Sequence, residues 1–126
     1  MRFVVDVNLG EPLANGMKAF GENVSHIKEM FFPDTEDPVW LKYIGDNNIF
    51  VITRDEKLRW RPAEIQSIRR YNVGAFFLGG KNRSRCDLIR QLVRSWPHIK
   101  ELASREKTPF IYRVPPQGSA IRRVPF

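Results

Sequence analysis

The feature that most constrains this chain is the alternation of short, almost wholly apolar runs with amphipathic segments. RFVVDV, NVSHI, IFVIT, VGAFFL and FIYRV are each five or six residues long and draw their apolar residues chiefly from valine, isoleucine and phenylalanine. That is the pattern of strands buried on both faces, as in a parallel sheet, rather than half-exposed antiparallel ones. Between the runs lie helical patterns. Residues 10 to 20 put Leu13, Met17 and Phe20 at helical spacing, with Pro12 near the first turn and Gly21 as a stop. Asp37 before Pro38 opens a second helix as its N-cap, with Val39, Trp40, Tyr43 and Ile44 on one face. Residues 62 to 71 and 84 to 103 predict two more, and Pro97 predicts a kink or break in the longer one. Strands alternating with helices imply right-handed crossovers and a doubly wound, mostly parallel sheet with helices on both faces, a three-layer α/β/α sandwich.

At 126 residues the chain is long enough for one good core. One domain over residues 1 to 114 is expected, followed by a basic, proline-containing extended tail from 115 to 126. No apolar run approaches the roughly 20 residues needed to span a bilayer, and the start lacks the pattern of a signal peptide. The expectation is a cytoplasmic protein with no membrane partner. A single cysteine, Cys86, excludes an internal disulfide and reads as a core residue. His26 and His98 have no partner at metal-binding spacing, which gives zinc little support.

The net charge of +7 is unevenly spread. Residues 1 to 56 carry five basic and ten acidic side chains, and residues 57 to 126 carry sixteen basic and four acidic ones. An acidic half can hold cations while an arginine-rich half grips a polyanion, and a metal-dependent enzyme acting on nucleic acid needs both.

In an open parallel sheet, ligands sit outside the carboxyl ends of the strands. Asp6 ends the first strand and Asp55 follows the third. The helix opened by Asp37 runs antiparallel to the third strand, so its start lies at the same edge. Three carboxylates are therefore expected to converge. Crowded like charges raise one another's pKa unless a cation neutralises them, and Mg2+ or Mn2+ suits a set of carboxylate oxygens. Such an ion polarises a phosphate and lowers the pKa of a bound water, the chemistry of phosphodiester hydrolysis. Each acid has a second reading: Asp37 as a cap, Asp55 as a turn residue. Asp6 is harder to explain otherwise, because an acid ending a buried strand is costly without a partner. Asn8 can orient a water or close an Asx-turn, and Thr53 can bond within the cluster or cap the strand. Glu56, Asp34 and Glu36 are reserve candidates.

DVNL at the first strand, the helix-opening acid at 37 and VITRDEKL from 51 to 58 together resemble the PIN-like nucleases, in particular the small PIN-like toxins of prokaryotic toxin–antitoxin pairs. The resemblance covers roughly residues 2 to 78. It implies a magnesium- or manganese-dependent ribonuclease whose acidic positions are Asp6, Asp37 and Asp55, with Asn8 and Thr53 as accessory polar positions. It also implies a cognate antitoxin as partner and admits a homodimer. Larger members of the family carry a further acid near the fourth strand, whereas VGAFFLGGKNRS offers none before Asp87.

RNA binding also follows from the residues. Arg54, Arg59, Arg61, Arg69, Arg70, Lys81, Arg83 and Arg85 are expected around the metal edge, with Trp60 and Tyr71 available to stack on bases or to pack in the core. Two other readings compete. One is a catalytically weak or inactive RNA- or partner-binding module. The other is a phosphoacceptor receiver-like domain, which wants adjacent acids after strand one, a hydroxyl ending strand four and a lysine ending strand five. The chain has Asp6-Val7-Asn8, Gly79-Gly80 and Arg113-Val114-Pro115 at those places.

Overall fold

The apolar runs become strands because each buries both of its faces. In a computed structural model describing residues 1–7, 9–54, 62–118 and 120–126, they form β1 (Arg2–Val5), β2 (Val24–His26), β3 (Ile49–Thr53), β4 (Gly74–Leu78) and β5 (Phe110–Val114). The order across the sheet is β2-β1-β3-β4-β5, with every neighbour parallel. The helices are α1 (Glu11–Ala19), α2 (Ile27–Met30), α3 (Asp37–Asp46), α4 (Pro62–Arg70) and α5 (Arg85–Arg105). This is the expected α/β sandwich, with α2 as an unanticipated single turn.

Register puts alternate strand residues on opposite faces. Phe3 pairs with Phe50, Phe50 with Gly74 and Gly74 with Phe110, forming one row beneath α1 and α5. The Phe50 and Phe110 rings lie stacked at 6.0 Å, and a Cβ on Gly74 would come within 2.7 Å of both, so glycine is required there. The neighbouring row, Val4, Val51, Ala75 and Ile111, packs beneath α3 and α4.

Three features depart from expectation. First, β3–α4–β4 and β4–α5–β5 step in the same direction across the sheet but use opposite faces. The last connection therefore has the opposite hand from the three before it, which share one hand, instead of the right-handed crossover the alternation implies. Second, α5 runs unbroken through Pro97. Proline removes one helical hydrogen bond, but Leu92, Trp96, Ile99 and Leu102 anchor the helix to the sheet on both sides of it. Third, the segment read as a tail is built into the fold. It is extended, but β6 (Arg122–Arg123) pairs antiparallel with β5, and the Val124 N–H donates to the Ile111 carbonyl at 2.8 Å. Ile121 packs on one core cluster and Val124 and Phe126 on the other, so these apolar side chains hold the terminus against the sheet edge. Cys86, read as a core residue, is exposed on the first turn of α5.

Among the described residues no helix is long and apolar enough to cross a membrane.

Candidate active site

The connection leaving β1 goes to β2 on one side, and the one leaving β3 goes to β4 on the other. The crossovers diverge between β1 and β3, and a crevice opens outside their carboxyl ends. Asp6 stands there. Its N–H continues the ladder to the Ile52 carbonyl at 3.0 Å, and the residue is 9% exposed. One carboxylate oxygen, Oδ1, accepts the Val7 N–H at 2.6 Å, and the other, Oδ2, accepts the hydroxyl of buried Thr53 at 3.0 Å. The Thr53 hydroxyl thus bonds within the site, one of the two readings its position allowed.

Asp37 comes to the same place from the other direction. It is the first helical residue of α3 rather than its cap, which is Glu36, and Glu36 makes no side-chain capping bond. The Asp37 Oδ1 accepts the Trp40 indole N–H at 2.9 Å, a bond between residues one helical turn apart. Asp6 and Asp37 line one cavity of about 130 Å³, together with Lys28, Phe31, Thr35 and Trp40. The two acids are brought together by topology, since 31 positions separate them in sequence.

Asp55, Asn8, Glu56, Trp60, Arg59 and Arg61 lie outside the described residues. Among the described residues no group of three or more His, Cys, Asp or Glu side chains assembles that could hold a metal. The cavity brings two carboxylates together beside the Lys28 ammonium. The carboxylates of Asp6 and Asp37 are hard oxygen ligands, which fit Mg2+ or Mn2+ and do not fit soft-metal chemistry.

The acid nearest downstream of β4 is Asp87, and it is engaged elsewhere. Ser84 caps α5 by accepting the Asp87 N–H at 3.1 Å. The hydrogen bond from the Ser84 side chain, then its backbone, then Arg83 and Arg90 hold the Asp87 carboxyl below its usual range. This reciprocal pair is a capping box.

The basic residues divide into two groups. Arg54 follows β3, and Lys81, Arg83 and Arg85 follow β4, all at the carboxyl edge shared with Asp6. β1 and β4 are two strand spacings apart, about 10 Å. Arg83 is partly committed to structure, since its guanidinium donates to the carbonyls of Asp87 (3.4 Å) and Pro116 (3.3 Å). Arg69 and Arg70 do not reach this edge. They end α4, which runs antiparallel to the strands and so delivers its last turn to the opposite edge. There Arg69 lies over the Phe126 ring at 5.3 Å and Arg70 over Tyr71 at 5.5 Å, while Tyr71 packs against the core. Arg113, at the carboxyl end of β5 with its guanidinium against Gly79, adds a cation at the Asp6 edge that the sequence did not single out.

His26 was read as isolated, but it is a fully buried fastener. Its Nδ1 accepts the Lys28 N–H at 3.2 Å, which leaves Nε2 as the protonated nitrogen, donating to the Leu9 carbonyl at 2.8 Å. It thereby ties the end of β2 to the loop that carries Asp6. A polar side chain closing a buried strand was the available signal. Lys28, also missed, lines the Asp6 cavity and pairs with Glu11 at 3.6 Å.

A mostly parallel sheet with an acidic crevice at its switch point defines a class of α/β proteins whose chemistry sits at the strand ends. Within that class the family described as PIN like domain matches residues 1–80, more than half of the chain, and this protein belongs to it. The family is of a nuclease-type superfamily. No curated protein and no solved structure matches the chain significantly.

Proposed function

We propose that the protein is a divalent-metal-dependent endoribonuclease acting as the toxin of a toxin–antitoxin pair. The observation that carries the reading is Asp6, buried at the switch point, bonded to Thr53 and sharing a cavity with Asp37. Carboxylate oxygens brought together at a cleft are the hard ligands that a divalent cation prefers. Asp55, two positions beyond Thr53 in sequence, is the expected third acid. Mg2+ or Mn2+ held by these carboxylates would supply the positive charge that activates water and stabilises the phosphate of the scissile bond. The chain's own residues do the rest. Thr53 and the Val7 N–H fix the rotation of the Asp6 carboxylate, and Trp40 fixes that of Asp37. Arg54, Lys81, Arg85 and Arg113 stand along the same edge, where they can neutralise the phosphates of an RNA strand, and Asn8 is placed by sequence to orient water.

The test is incubation of the protein with structured and unstructured RNAs in manganese and in chelator. Cleavage abolished by chelator and by Asp6→Asn and Asp37→Asn supports the proposal. Intact RNA in every tube sinks it and favours the binding-module alternative, which the engagement of Asp87 with Ser84 already motivates. The toxin assignment adds that expression arrests growth and that a neighbouring gene relieves the arrest.

A further inference from the structure

The cavity that holds Asp6 and Asp37 has a second wall to which the reaction gives no role. Phe32, Pro33 and Val7 line it, with Phe32 82% and Val7 56% exposed. A single apolar side chain on a surface is ordinary, but here two are gathered on one small cavity with both acids. At about 130 Å³ that cavity is well below the roughly 300 Å³ at which drug-sized ligands are enclosed, which leaves room for one ring system.

The Phe32 ring is presented outward by its backbone. At Phe31 the chain is extended (φ −138°, ψ 153°), so the two phenylalanines point to opposite sides. Phe31 turns inward against the core and meets Tyr43 edge-on at 5.4 Å. Phe32 turns to solvent. Its backbone is tied on both sides: the Phe31 N–H donates to the Ile27 carbonyl at 3.0 Å, and the Thr35 N–H donates to the Phe32 carbonyl at 3.0 Å, closing a β-turn with Pro33 in its second position. A ring held this way has little further freedom to lose when something binds to it.

The surroundings select the occupant. Arg54, Lys81, Arg85 and Arg113 stand on the β3-to-β5 side of Asp6, whereas Phe32 follows α2 and so lies on the β2 side. There Lys28 is the one cation lining the cavity among the described residues, it faces Glu11 at 3.6 Å, and the turn adds the exposed acids Asp34 and Glu36. A phosphate chain is repelled from such a rim. A nucleobase is neutral, and its flat face stacks on an aromatic ring whatever its sequence. We propose that Phe32 is the stacking platform for one unpaired base of the RNA, that of a nucleotide adjoining the phosphate held at Asp6 and Asp37, with the sugar-phosphate chain leaving toward the arginines. The inference rests on RNA lying at the Asp6 site, as the proposed function has it. It adds a demand on the substrate, since a base must be out of its helix to reach the ring.

The experiment measures affinity by fluorescence anisotropy on the full chain, with labelled unstructured RNAs of about five nucleotides, intact or lacking one base at each position in turn. Calcium replaces manganese for binding, as a hard ion that carboxylates also take, and cleavage is followed separately in manganese. Phe32→Ala should weaken binding of the intact RNA about 5- to 150-fold, the effect of losing one base stacked on an aromatic ring, and Phe32→Trp should retain it. Because Phe32 is exposed, both variants should melt with wild type. At one position, removing the base should weaken binding to wild type by a similar factor and leave binding to Phe32→Ala unaffected. A fully paired RNA duplex should not distinguish wild type from Phe32→Ala. Wild-type affinity in Phe32→Ala, no position at which base and ring are coupled, an equal loss on the duplex, or no RNA binding at all overturns the proposal; the first of these gives the ring to a basic protein segment instead. The two readings fail separately. Coupling of base and ring without chelator-sensitive cleavage removes the reaction and keeps the platform, whereas cleavage and binding by Phe32→Ala at wild-type levels removes the platform and keeps the reaction.

Discussion

Thr53→Val removes the hydroxyl that donates to Asp6, so it tests that bond. Valine keeps the β-branched shape at a position 1% exposed, and the 3.0 Å bond to Asp6 Oδ2 disappears. Hydrogen bonds to charged groups contribute about 1.5–3 kcal/mol, and a carboxylate left short of a donor away from water forfeits that amount. With an unfolding entropy of about 2.1 cal/mol/K per residue, a 126-residue chain should melt about 6–11 °C lower. Thr53→Ser is the control. It retains the hydroxyl and loses a buried methyl worth about 1 kcal/mol, or about 4 °C. Differential scanning calorimetry of the three proteins should therefore rank wild type above serine and serine above valine. If valine melts with or above wild type, or serine falls below valine, the hydroxyl is not what holds Asp6, and the preorganisation assigned to the site is wrong.

Other expectations follow from particular contacts. Gly45→Ala would place a Cβ 1.8 Å from the Tyr71 carbonyl oxygen, backbone against backbone where α3 meets the end of α4. A loss of about 3 kcal/mol or more should appear as a lower urea midpoint, and an unchanged midpoint would mean that the two segments are not in contact. Because the folded pKa of Asp87 lies below its unfolded value, its capping box stabilises the protein above about pH 4 and is lost as pH falls through the folded pKa. Asp87→Asn should thus flatten the acid limb of the stability profile, and an unaltered limb would show that the Ser84 bond does not form. Gly16→Ala should raise stability by about 0.5–1 kcal/mol, or about 2–4 °C in melting temperature, since helix propensity improves and nothing opposes the methyl group. A destabilised Gly16→Ala protein would show that the space beside Gly16 is closed in solution.

The alternation of apolar runs and helical patterns carried most of the architecture, because burial on both faces leaves so little choice for RFVVDV or IFVIT. Strand ends followed from it, and so did the place of Asp6 beside the end of β3. What periodicity could not supply was information held in long-range contacts. FIYRV reads as a strand, but nothing local says that PPQGSAIRRVPF returns along it, since β6 is two exposed arginines whose neighbours Ile121, Val124 and Phe126 find their partners only across the assembled sheet. Arg69 and Arg70 looked like members of the metal edge because they lie in the segment that follows β3. The helix axis carries them to the other end. Proline at 97 argued for a break by a local rule, and packing on both sides overruled it.

The same division runs through the site. Sequence alone placed Asp6, Thr53 and Asp37 at one edge, because a strand end and the start of an antiparallel helix must lie together whatever the side chains do. Only the tertiary structure decided how they are held: Thr53 on Asp6, Trp40 on Asp37, and His26 fastening the loop after β1 from 17 positions away. Hydrogen bonds have direction as well as range, and their partners are chosen by the packed geometry of strands that are neighbours in space and not in sequence.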